Sequence, residues 1–305
     1  MNFAEYQERA LLTDRTPTVG GDPEAARLIP LLGLSGEAGE LLTEYKKRLR
    51  DGPGHVRFVE RVAEELGDIL WYLSNLASKY GLALEDIASQ NLKKADNLHG
   101  KAARAAGEAD GSKDGERFPR QFTITFVEVR ERGRVEVRAQ MDGRLLGSEL
   151  TDNAYDDDGY RFHDVFHIAN AAILGWSPVL RALMKVKRRS LPKVDEVEDG
   201  GRAAVIEEGV VAVAFGYAKD HQFLDGISHI DTDVLRTLQT MCGHLEVAKQ
   251  PLSLWRQAIL DGFTVWREVV KNHGGVVFAD LDRREIRYLG PADNATTTAA
   301  TLASE

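Results

Sequence analysis

Four carboxylates stand in two pairs at helical spacing, Glu37 with Glu40 and Glu65 with Asp68. Residues three apart on an α-helix share a face, so each pair can aim its oxygens at one point. Two such pairs on adjacent helices would supply the oxygen ligands that a hard cation such as magnesium takes in near-octahedral geometry. Laid out at roughly 100° per residue, Leu34, Ala38, Leu41 and Tyr45 form an apolar stripe with Glu37, Glu40 and Glu44 on its border. On the next helix Val62, Leu66, Ile69, Leu70 and Leu73 point inward, Glu65 and Asp68 share one border, and Glu64 turns toward solvent. A lone ExxE reads as a solvated helix face, stabilised by neighbours such as Lys46, Lys47 and Arg48. A third helix sets this case apart, because Ile87, Asn91, Lys94, Ala95 and Leu98 share the face expected to pack. An amide and an ammonium there need partners. An acidic metal cluster would provide them and a phosphorylated ligand would balance Lys94; the alternative is that Lys94 snorkels past the core.

The elements that must position these groups are helical. Apolar residues recur three and four apart through the first hundred positions, and almost nothing alternates with period two. A short helix is expected over 2–13, then a loop in which Asp22 caps a helix beginning at Pro23. Pro30 should kink that helix or start a new one over 33–49. The next is expected over 57–81 with Gly81 as its C-terminal cap, and the last over 84–98. Residues 99–119 are rich in Ala, Gly and charge without apolar periodicity, the composition of a linker. Beyond it, 121–150 alternates as an antiparallel meander with turns at 131–134 and 141–144. Helical periods return from Tyr160 to about Asn272, a hairpin follows with its turn near Asp282, and a low-complexity tail from Asn294 is expected to be disordered. The expected fold is mainly α: an all-α domain at 1–100, a linker at 101–120, a mostly helical domain with a small β meander at 121–290, and a tail at 291–305.

The ordered set GLSGEAGELLTEYKK, EELGDILWYLSNLASKYGLALEDI and QNLKKADN resembles the MazG family of all-α nucleoside triphosphate pyrophosphohydrolases over about residues 30–97. The resemblance rests on ExxE, a spacer, ExxD, and then an Asn and a Lys on a later helix. It implies that Glu37, Glu40, Glu65 and Asp68 hold magnesium, with manganese as a substitute, and that Asn91 and Lys94 contact the phosphate chain or order the carboxylates. It further implies a homodimer or homotetramer, since such proteins pair helices between subunits. Cleavage between the α- and β-phosphates needs the anionic chain neutralised, a water activated and the leaving pyrophosphate stabilised. Glu37 or Glu40 would act on the water. Lys47 is a candidate phosphate contact, or else a solvated surface lysine. Trp71 and Tyr72 are candidate base contacts, or else packing residues.

Composition narrows the classes. A net charge of −9 argues against a chain devoted to nucleic acid. A single cysteine, Cys242, excludes a disulfide framework and suits a reducing cytoplasm, where it reads as a small buried apolar residue. No signal peptide or membrane-length apolar run is visible.

The second region carries its own constellation. His163 and His167 stand at i and i+4, able to bind one metal from one helical face, with Asp164 expected off that face and Glu207 and Glu208 at the start of a later apolar helix. A structural histidine held by a local hydrogen bond is the alternative. Asp164-x-x-His167 takes the place of ExxE and IEEGVVAVAF that of EELGDILWYL, with Val211 standing where Asp68 stands, so this region reads as a diverged repeat lacking a ligand. It resembles the accessory domain fused behind MazG-type domains. The basic run Lys185, Lys187, Arg188, Arg189 and Lys193 could bind phosphate or form a solvated helix end. The expected function is magnesium-dependent hydrolysis of a nucleoside triphosphate, standard or modified, to the monophosphate and pyrophosphate. The alternatives are a nucleotide-sensing protein whose C-terminal domain delivers the output, and a bifunctional hydrolase with a second metal site at His163, His167 and Glu208.

Overall fold

The computed structural model describes residues 1–15, 23–99, 113–131 and 133–292. The expected cap at Asp22, most of the linker and the tail from Asn294 lie outside them. The chain is mainly α and divides into two compact units, Met1–Ala95 and Asp96–Glu305. Among the described residues no helix is long and apolar enough to cross a membrane.

The first unit holds α1 (Phe3–Leu12), α2 (Pro23–Asp51), α3 (Phe58–Lys79) and all but the last turn of α4 (Leu84–His99). Asn2 caps α1 in a reciprocal capping box with Glu5. Gly81 follows α3 at φ +67°, a conformation that glycine adopts without a Cβ penalty. Pro30, expected to kink the helix or start a new one, starts none and lies inside a continuous α2. It removes one backbone hydrogen bond, but its ring is buried and α3 packs along the helix, so tertiary packing overrides the local preference. A short turn joins α2 to α3, and the two run antiparallel. The Tyr45 and Phe58 rings meet edge-on at 5.1 Å near the turn. At the other end Gly33 lies against Tyr72, so close that a Cβ would stand 2.2 Å from a ring carbon. α1 closes on α3 through Trp71, which donates to Thr13 Oγ1 at 2.8 Å, and through Lys79, paired with Asp14 at 2.8 Å. Gln7 bonds Ser78 and the backbone of Leu82 and Leu84.

The second unit is built on one antiparallel sheet in the order β3-β2-β1-β4-β5, from β1 (Gln121–Glu131), β2 (Arg134–Met141), β3 (Arg144–Leu150), β4 (Gly274–Asp280) and β5 (Glu285–Gly290). The meander and the distant hairpin, which read as separate in sequence, join through β1 and β4, with Ile124 opposite Val277 and Phe126 opposite Gly275. Gly274 makes this possible: at φ +126° a Cβ would sit 2.4 Å from the Phe126 carbonyl oxygen. α5 (Asp164–Ala169) and α10 (Leu252–Lys271) pack on β4 and β5 around Phe126, Phe162, Ile168 and Phe263. Between them run α6 (Pro178–Met184), α7 (Pro192–Val197), α8 (Gly201–Lys219) and α9 (Thr232–Met241). Packing begins before Gln121: Glu116 accepts from Ser190, and Arg181 lies over the Phe118 ring at 4.4 Å.

Candidate functional site

In the first unit the antiparallel α2–α3 pair brings Glu37, Glu65 and Asp68 together, each offering an oxygen within 4.8 Å of the others. Glu37 is one turn from Gly33 and Asp68 one turn from Tyr72, so the tight Gly33–Tyr72 approach lies beside the cluster. Glu40 is exposed and outside this group of three. Its charge still reaches Glu65, whose carboxyl is held above its ordinary range by burial and then by Glu37, Asp68, Glu40 and Glu64. Asp68 also raises the Tyr6 hydroxyl, after burial. Carboxylates crowded without a facing cation repel one another, and a divalent ion on Glu37, Glu65 and Asp68 would relieve that repulsion.

The other sequence candidates in this unit are placed differently. Glu44 is buried at 5% exposure and binds Lys47 at 2.5 Å and His55 at 2.7 Å, so Lys47 is engaged within its own helix. The Lys47 hydrogen bond lowers the Glu44 carboxyl against burial, with His55 assisting. Trp71 stands edge-on to Tyr72 at 5.0 Å and serves the α1–α3 contact, the packing role. Asn91 and Lys94 do not enter a packed face. Every residue from Ser89 to Asn97 is exposed, because α4 is anchored by its first residue, Leu84, and then leaves the α2–α3 pair. The inward stripes are only partly covered: Leu34, Leu41, Val62, Ile69 and Leu70 are half-buried, whereas Ala38, Tyr45, Leu66 and Leu73 are exposed.

In the second unit α5 and α8 bring His163, His167 and Glu208 together, again with one ligand atom each within 4.8 Å. Arg161 fixes the turn that delivers His163, through Asp152 at 2.5 Å and Glu128 at 3.1 Å. His163 lies flat on the Tyr160 ring at 4.6 Å, with Nδ1 2.9 Å from the Tyr160 carbonyl. Asp164, expected off the histidine face, places an oxygen 3.8 Å from His163 Nε2, which residues adjacent in the chain can do through side-chain rotation alone. His167 is fully buried, with Nδ1 2.9 Å from Glu207 and Nε2 3.4 Å from Glu208. Burial opposes its charged form, but Glu207 and Glu208 outweigh burial and raise its pKa well above the ordinary value. A π-helical turn, Asn170–Leu174, continues α5 and presents the Asn170 amide to Glu207 at 3.2 Å.

Three members of the basic run are engaged by acids. Arg188 is buried at 4% exposure between Asp199, at 2.7 Å, and Glu246, at 2.8 Å, while Lys187 and Lys193 face Asp195 and Glu196. Glu246 comes from a sequence-distant position, so the run alone gave no sign of it. Cys242 is buried and its thiol is pushed up to about 12, first by burial and then by Glu207 and Glu198.

Residues 28–102 match the family described as the MazG nucleotide pyrophosphohydrolase domain, and residues 108–292 match the MazG C-terminal domain. The Gene 37 protein of Mycobacterium phage L5 is 40% identical over 65 residues, which cover 21% of this chain and 57% of that protein. The chain thus spans little more than half the length of this curated relative. No solved structure matches. The acid-bearing helical hairpin and the two consecutive family matches lead to one assignment: the chain belongs to the MazG family, with a MazG nucleotide pyrophosphohydrolase domain followed by a MazG C-terminal domain.

Proposed function

We propose that the first unit hydrolyses a nucleoside triphosphate to the monophosphate and pyrophosphate with magnesium, manganese serving as a substitute. The observation that carries this reading is the convergence of Glu37, Glu65 and Asp68 from two helices, with Glu65 disfavoured as an anion by burial and then by its neighbours. Magnesium bound there would neutralise the phosphate chain and acidify a water. Glu37, Glu65 and Asp68 would hold it. Glu40, close by but outside that group, keeps its oxygens free to orient the water and accept its proton, so it is the better general base of the two candidates. Lys94 and Asn91, exposed on α4, would meet the phosphates only when α4 is packed.

A second copy of the chain supplies that packing in this reading. The buried apolar residues of the first unit, among those described, are small or few: Ala10, Pro30, Ala77 and Leu84. Leu28, Leu32, Leu42, Tyr45 and Leu49 of α2 and Leu92 of α4 are at least half exposed. A domain of this size exposing so much apolar surface has too small a core to stand alone, and self-association offsets that deficit. The cytoplasm suits the lone buried thiol.

The test is product identification with a panel of standard and modified nucleoside triphosphates, with and without magnesium, for the wild type and Glu65→Ala. The reading expects monophosphate and pyrophosphate in equal amounts from at least one of them, only with the metal, and not from Glu65→Ala. Metal-independent turnover, or none with any triphosphate, would overturn it.

A further inference from the structure

The family match to the C-terminal unit names no ligand, yet one of its polar clusters has the form of a metal site. We propose that His163, His167 and Glu208 bind a divalent cation of transition-metal character, zinc or cobalt rather than magnesium, with coordination positions left open to water or an anionic oxygen.

Three independent features converge. Each imidazole has its Nδ1 next to an acceptor, the Tyr160 carbonyl for His163 and the Glu207 carboxylate for His167, both at 2.9 Å. The hydrogen bond fixes the proton on His163 Nδ1, and the Glu207 charge beside His167 Nδ1, close though not in line for a hydrogen bond, favours it there too; both leave the Nε2 lone pair for a metal, as carboxylate and carbonyl partners orient metal-binding histidines. The two Nε2 atoms then face Glu208, at 3.8 Å from His163 and 3.4 Å from His167. Second, His167 has no exposed surface, and its Nε2, the atom turned toward Glu208, makes no hydrogen bond of acceptable geometry. A buried imidazole in that condition is costly, and a cation on Nε2 would satisfy it. Third, Glu207 is itself fully buried and immobilised by Asn170, by the Ser177 hydroxyl at 3.0 Å and by the Val179 amide at 3.0 Å. Such a network around a supporting carboxylate is an outer layer that holds a ligand in place.

The donor set decides the ion. Two imidazole nitrogens and one carboxylate suit zinc, cobalt or manganese, whereas magnesium and calcium favour all-oxygen surroundings. Three protein ligands leave a four-coordinate ion one position short, the pattern of catalytic rather than structural zinc sites. The Glu208 side chain is 45% exposed, which opens that position to solvent. The competing account is a buried imidazolium held between two glutamates without any metal.

Cobalt(II) distinguishes the two in the full-length chain, because nitrogen ligation gives visible ligand-field absorption. Glu65→Gln/Asp68→Asn in the same chain silences the acidic cluster, so that only this site is read. The expected result is one cobalt or zinc ion per chain, with affinity lowered at least about 100-fold by Glu208→Gln and about 10- to 100-fold by Glu207→Gln. His167→Ala would strand Glu207 in the core, so half-exposed Glu208 carries the test if that variant does not fold. Absence of cobalt uptake, or uptake unchanged in Glu208→Gln, would overturn the proposal in favour of the ion pair. Pyrophosphate release plays no part in this readout, so its outcome is separate from that of the first unit.

Discussion

Gly33→Ala probes how the first unit positions its carboxylates. The new methyl would stand 2.2 Å from one Tyr72 ring carbon and 2.4 Å from another, where ordinary contact begins at 3.4 Å. The ring is rigid and braced edge-on by Trp71, so it cannot step aside as a flexible chain end would. Relief therefore requires about 1.2 Å of separation between α2 and α3 at that level. Overpacking of this kind costs about 1–3 kcal/mol, and the better helix propensity of alanine returns about 0.5–1, leaving roughly 0–2.5 kcal/mol. The functional effect should be larger than the stability effect. Glu37 and Asp68 lie one turn from the clash on either helix, and magnesium demands near-ideal octahedral geometry. Misplacement by about 1 Å can cost about 10²-fold in rate. A magnesium titration of pyrophosphate release should show a raised half-saturation and a kcat reduced by about that factor, both recovered in Gly33→Ala/Tyr72→Leu. A Gly33→Ala protein with unchanged magnesium dependence and kcat would refute the claim that this contact sets the carboxylate spacing.

Further outcomes follow from the same physics. Glu65→Gln should raise the metal-free thermal midpoint of the first unit at neutral pH, since it removes an anion that burial and four neighbouring carboxylates disfavour. The folded pKa of Glu65 is raised, so the repulsion is fully present above it and is relieved as pH falls through it. The advantage of Glu65→Gln should therefore shrink in acid, and a gain that grows on acidification would contradict the assignment. Arg188→Ala should destabilise the second unit by up to about 3–5 kcal/mol in denaturant titrations, because it takes the closer of two guanidinium partners from buried Asp199 and leaves only Arg181 at 3.7 Å, while triphosphate turnover by the first unit persists. Leu42→Asp changes a side chain that is 70% exposed in one copy and should leave helicity intact. Sedimentation should show the wild type as a dimer or tetramer and this variant dissociated; a monomeric wild type would remove the second-copy reading.

Much of the first unit was legible because its signals are local. The helical period of α3, the glycine cap at Gly81 and the two acid pairs all lie within a few turns of chain. Turn chemistry likewise marked the meander, where Gly133, Asp142 and Gly143 take positive φ. What escaped the sequence depends on partners far away. Pro30 continues a helix because its ring is buried beside α3, and Arg188 turns inward to meet Asp199 and Glu246. The pairing of β1 with β4 joins segments about 150 residues apart and rests on the backbone freedom of Gly274. The expectation that Asn91 and Lys94 face the acids took for granted a packed α4, which one chain does not provide.

In the proposed reaction Glu37, Glu65 and Asp68 hold the cation for cleavage between the α- and β-phosphates. Its most direct test is phosphorus NMR of the products formed from a turned-over nucleoside triphosphate by the full-length chain with excess magnesium, beside Asp68→Asn. Monophosphate and pyrophosphate in equal amounts are expected from the wild type, with at least about a 10²-fold loss in Asp68→Asn. Diphosphate and orthophosphate as products, or an Asp68→Asn protein as active as the wild type, would contradict it.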